Sequence, residues 1–162
     1  MFGSSTSART GAMRLALAFA AGFISVLVFH QAMLAILHLA GITPALPWTM
    51  SRVPPLGVPQ VISAAFWGGV WAILLALVLQ RTRSAAAYWI TAVVFGALAL
   101  SLVAWFVVAP LKGQPVAGGW QPARLLTALL VNGAWGFGTA LLLSFAPGWR
   151  LPRSAGWRSL RW

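Results

Sequence analysis

The stretch QVISAAFWGGVWAILLALVLQRTRSAAAYWITAVVFGALALSLVAWFVVA, residues 60–109, decides the fold. Its only charged side chains are Arg81 and Arg83, which divide it into apolar runs over 60–79 and 86–109. At about 1.5 Å rise per residue, each run is long enough to cross a hydrocarbon core of about 30 Å. Lipid offers no partner to exposed backbone groups, so such runs must be helices. The connector between them is very short and predicts that they pair as an antiparallel hairpin.

The same alternation continues outward. Residues 41–59 hold Pro44, Pro47, Pro54, Pro55 and Pro59, which remove backbone donors and fix extended or turn geometry. A further apolar run precedes them, over 15–40. Ahead of it, the polar, small-residue segment 1–13 reads as a flexible leader. Ala18-Phe19-Ala20 mimics a signal cleavage site, but it follows Arg14 too closely to leave room for an h-region. On the other side, PLKGQPVAGGWQP (110–122) is loop chemistry, and a fourth run covers 123–146 before Pro147-Gly148 ends it. The expectation is an all-α integral membrane bundle of four transmembrane helices in one domain spanning 1–162, with a basic, Trp-rich tail at 147–162.

Composition agrees and prunes the chemistry. The chain has ten Arg, one Lys, two His, and no Asp, Glu or Cys. Charged residues make up 7%, against about 25% in a soluble domain. Paired-carboxylate catalysis, thiol catalysis, disulfides and iron–sulfur ligation are all excluded. A carboxylate-based Ca or Mg site has no ligands, and zinc would find only His30 and His38, so no metal site is expected. The chain is expected to be no enzyme. The leader, the 81–85 connector and the tail carry Arg9, Arg14, Arg81, Arg83, Arg150, Arg153, Arg158 and Arg161; the opposite side has Arg52, Lys112 and Arg124. That asymmetry predicts both termini in the cytoplasm. Arg over Lys at ten to one, with abundant Ala, suggests a GC-rich bacterial genome and hence a bacterial inner membrane.

A repeat joins the second and fourth runs. Trp67-Gly68-Gly69-Val70-Trp71-Ala72-Ile73-Leu74-Leu75 and Trp135-Gly136-Phe137-Gly138-Thr139-Ala140-Leu141-Leu142-Leu143 share W-G-x-x-x-A-[I/L]-L-L. A two-plus-two hairpin repeat would explain it, and recurrence of common residues is the alternative. Ala64, Gly68, Gly69, Gly136 and Ala140 form small-xxx-small pairs suited to close helix packing.

Polar residues inside the runs are costly and therefore informative. Counting from the outer ends puts His30, Ser101 and Asn132 at about 12–15 Å depth, with Gln31 beside them. This predicts one polar layer, walled by Trp67, Trp71 and Trp135. It is either interhelical glue or a ligand site, with His30 as an axial ligand for a haem or chlorophyll-type pigment, or part of a quinone site. No cofactor is the primary expectation. In the tail, Trp149, Arg150, Arg153, Trp157, Arg158, Arg161 and Trp162 read as a membrane-surface anchor or a dock for an acidic partner surface. Nucleic acid is not an expected partner. The expected partners are the bilayer and other membrane subunits, or a second copy. The function expected is a non-catalytic accessory, assembly or scaffold subunit of a larger membrane complex. The alternatives are a small dimeric transporter or channel for a neutral or anionic solute, or a pigment, haem or quinone carrier.

Overall fold

The structure is a computed structural model describing residues 3–152, with side chains from residue 11 onward. Four helices are long and apolar enough to cross a membrane: α1 (Gly11–Leu39), α2 (Gln60–Leu79), α3 (Ala85–Leu111) and α4 (Pro122–Ser144). They form an all-α bundle with the 40–59 and 112–121 loops at one end. The helical backbone of α1 already begins at Gly3, so the leader expected to be loose is helical over 3–13. Nothing there breaks a helix, since its first proline is Pro44. Caps match the boundaries: Ser84 accepts from the Ala87 amide at 3.1 Å to start α3, and Pro122 sits at the first turn of α4.

The apolar surface turned outward is that of a chain in contact with lipid. Ile90, Val94, Leu98, Leu102 and Phe106 stand exposed at four-residue intervals along α3. The interior is built from small residues instead. At the α1/α2 crossing, a side chain on Gly22 would run into the Gly68 backbone, and one on Gly69 would strike the Phe19 ring. At the α3/α4 crossing, a side chain on Gly136 would run into the Ala92 carbonyl, with Gly96 packed on the same spot. Each hairpin therefore closes on a glycine pair.

The repeat maps onto these crossings. Gly68, Ala72 and Leu75 are buried, and so are Gly136, Ala140 and Leu143 at the same relative positions. The leading tryptophans differ, with Trp135 1% exposed and Trp67 58% exposed. The reason is position in the bundle. α4 touches α1 and α3 extensively, whereas α2 packs chiefly on α1.

The hairpin expected from the short connector between α2 and α3 does not form as a packed pair. Their ends are joined, but their backbones meet only sparsely. The Trp71 and Phe95 rings, 6.2 Å apart, fill the gap between them. Chain proximity is overruled by the glycine pairs, which draw each helix toward its other neighbour.

The 40–59 loop is more ordered than its prolines suggest. It carries a two-stranded antiparallel ladder, β1 (Arg52–Val53) with β2 (Val58–Pro59), in which Arg52 faces Pro59. Gly57, at φ 66°, supplies the left-handed turn residue between them.

Candidate functional site

Levels along the helices follow from the Gly22/Gly68 contact. Counting about 12 Å up from it reaches His30 on α1 and Gln60, the first residue of α2. α1 then continues through Gln31–Leu39, so it overshoots α2. The 40–59 loop occupies the space above the start of α2 and folds back onto α1.

A π-turn receives it. Within Val26–His30 the helix widens, and the Gln31 amide donates to the Val26 carbonyl, passing over Leu27. The Leu27 carbonyl accepts instead from the Trp48 indole at 2.9 Å. The Trp48 amide donates to Gln31 Oε1 at 2.7 Å. Those two bonds hold Trp48 at φ 48°, a left-handed conformation that is costly for a bulky residue. His38 ties the start of the loop, its Nδ1 lying 3.2 Å from the Thr43 carbonyl.

Beside Gln31 lies a cavity of about 90 Å3, with His30, Thr49 and Gln60 on its polar side and Leu34, Leu46, Val61 and Ala64 on its apolar side. Gln31 is 5% exposed. Its Oε1 is taken by Trp48, so its Nε2, 3.4 Å from His30 Nδ1, must be the donor of that pair. This assigns the imidazole proton to Nε2.

The single polar layer expected across all four helices is not what the bundle contains. Asn132 Nδ2 donates to Ser101 Oγ at 3.0 Å, binding α4 to α3. His30 and Gln31 face the loop and α2 instead, and α4 lies between α1 and α3. His30 and Asn132 stand at similar heights, since Ser25 and Phe29 of α1 meet Trp135 and Gly138 of α4, but they face different ways. Trp67, expected as a wall, points outward. Trp135 is central: its indole donates to the Gly22 carbonyl at 3.1 Å, and its own carbonyl accepts from Ser25 Oγ at 2.7 Å. Ser25 did not stand out in the sequence, because one hydroxyl in an apolar run carries no spacing signal. Near the termini, Tyr88 donates to the Ala140 carbonyl at 2.8 Å. Trp149 is partly buried there and Arg150 is exposed. Arg153, Trp157, Arg158, Arg161 and Trp162 lie outside the described residues.

A second concavity is apolar. This groove of about 870 Å3 runs between α1 and α3 with α4 as its floor. Ala32 and Ile36 line one wall, Ala97 and Leu98 the other, and Gly133 and Ala134 the floor. On α1 the groove extends from Val28 to Ile36, about 12 Å. A volume of that size over that length gives a mean section of about 70 Å2, approaching that of a helix of about 10 Å diameter. A single hydrocarbon chain is far thinner.

Comparison with known proteins finds no matching family model, no matching curated protein and no matching solved structure.

Proposed function

We propose that this multi-pass membrane protein is a non-catalytic accessory, assembly or scaffold subunit of a larger complex in a bacterial inner membrane, with both termini cytoplasmic. The observation that carries the reading is the apolar groove over Gly133 and Ala134. The small residues at the centre of its floor, between Leu130 and Phe137, suit the close approach of another helix backbone, and helix association in lipid depends on such packing. A transmembrane helix of a partner subunit is the occupant that fits its width.

The polar groups support the same reading. Ser25, Tyr88, Asn132 and Trp135 each bond across helices, which holds a frame together. The excess of Arg on the terminal side supports the orientation.

The test is purification of the full chain in mild detergent from its native membrane. Wild-type protein should carry a membrane subunit in fixed stoichiometry. Ala134→Leu should yield a folded protein without it. Wild-type protein emerging alone, or Ala134→Leu retaining the same subunit, would overturn the reading.

A further inference from the structure

At the loop end the four helices stop at different heights. From the bonded pair Ser101 and Asn132, α3 runs on to Leu111 and α4 to Pro122, each about 15 Å further. α1 runs from His30 to Leu39, about 13 Å. α2 begins at Gln60, level with His30, and so lacks about two turns that its neighbours have. Those extra turns are apolar. α3 has no charged, amide or hydroxyl side chain between Ser101 and Lys112. Leu102, Phe106 and Leu111 stand exposed along it, and Ile36 and Leu39 on α1. Arg14, at the opposite boundary, lies about 24 Å from His30 along α1. A hydrocarbon core of about 30 Å therefore continues about 6 Å above the start of α2.

Residues 42–59 stand in the gap. The chain turns back down from Leu39, and Trp48 bonds to the Leu27 carbonyl and to Gln31. The Thr49 and Ser51 carbonyls accept from the Val61 and Gln60 amides at 3.2 and 2.9 Å. Met50, between them, is thus fixed at the level where α2 begins. Irregular backbone is tolerated at such depth only where its polar groups are cared for by the protein or by trapped water. Here Thr43 Oγ1 accepts from the Ala45 amide. The Thr49 hydroxyl donates to the Leu46 carbonyl, and the Ser51 hydroxyl to Gln60 Oε1. The five prolines have no N–H to satisfy. The apolar side chains point the other way: Leu46 is 63% and Met50 64% exposed. Arg52 is the one charged side chain of the segment, and an arginine can lay its stem on apolar surface while its head stays in water.

We infer that residues 42–59 form a re-entrant segment immersed in the leaflet at the loop end, with Leu46, Trp48 and Met50 seated against lipid acyl chains. The segment takes the place of the turns that α2 lacks. Its exposed side chains continue the lipid-facing surface of α1 and α3, and a depth of about 6 Å matches that of apolar groups inserted at the headgroup boundary. The inference rests on the spanning helices alone. It holds for either orientation of the chain and for any occupant of the groove.

The chain has no cysteine, so single nitroxide labels can be placed at will. Full-length Met50→Cys, Leu46→Cys, Phe66→Cys and Gln114→Cys are labelled and reconstituted in liposomes of phosphatidylethanolamine and phosphatidylglycerol. All four positions are exposed, so the label meets no packed neighbour. Collision with oxygen, which concentrates in lipid, is compared with collision with a water-soluble nickel chelate. Phe66 on α2 gives the reference for lipid, and Gln114, just beyond α3, the reference for water. Positions 46 and 50 should resemble 66, with an oxygen-to-nickel ratio several-fold above that at 114. A nickel-accessible label at 50, as at 114, would overturn the inference, because the bilayer would then end at the first residue of α2. Labels at 46 and 50 reached by neither reagent would overturn it too, since protein rather than lipid would cover the segment. Two positions on one segment keep the test decisive if either variant fails to fold.

Discussion

Asn132 and Ser101 are tied to each other, and His30 to Gln31, which makes their energetics separable. Replacing Asn132 by Leu leaves the Ser101 hydroxyl without its partner and should destabilise by about 0.6–2 kcal/mol, the range for interhelical bonds in membranes. Ser101→Ala should cost about the same. The double variant should cost little more than either alone, because both remove one interaction. His30→Leu combined with Asn132→Leu should instead be additive within about 0.5 kcal/mol, since the residues share no partner. Unfolding of the four variants in a common detergent checks both statements, and strong coupling of His30 to Asn132 would contradict the separation. Ser25→Ala should also destabilise measurably, by releasing the Trp135 carbonyl at the α1/α4 contact. The identity of these polar residues was legible in the sequence, because polar side chains are rare in apolar runs. Their partners were not, since partnership depends on how each helix is turned against its neighbour.

The same glycine can be indispensable or idle, depending on what its helix faces. A Cβ on Gly136 would collide with the Ala92 carbonyl, so Gly136→Ala should force α3 and α4 apart and destabilise by about 1–3 kcal/mol. A Cβ on Gly133 would meet Ala97 and Val93 at 3.6 and 3.7 Å, ordinary contact distances. Gly133→Ala should therefore leave stability unchanged or raise it slightly. Thermal unfolding of the two variants side by side distinguishes them, and equal losses would contradict the α3/α4 geometry. Small-residue spacing marks Gly68 and Gly136 in the sequence without saying which helix each will meet. A short connector suggested α2 against α3. The glycine pairs instead join α1 to α2 and α3 to α4, and the bulk of Trp71 and Phe95 keeps the sequence neighbours apart. The π-turn at Val26–His30 had no sequence signature at all. It is recognisable only once Trp48 is seen to take the carbonyl that the wide turn releases.

At the scale of the molecule, the four spans follow from run length, the basic connector and the proline-rich loops, which is why they were readable in advance. The overshoot of α1 beyond α2 was not, because hydropathy sets a length and not a height. Reporter fusions test the proposed orientation: those after Arg83 and Trp162 should read cytoplasmic, and one near Trp48 should read external. An external signal at Trp162 would reverse it. The central proposal is that the groove between α1 and α3 receives a partner helix. A photo-crosslinking side chain placed at Ala134, on the groove floor, reports its occupant directly in native membranes. A matching probe at Phe66, on the outward face of α2, serves as the reference for lipid contact. The account predicts a discrete protein adduct of defined mass from position 134 and only lipid adducts from position 66. Lipid adducts alone at both positions would contradict it.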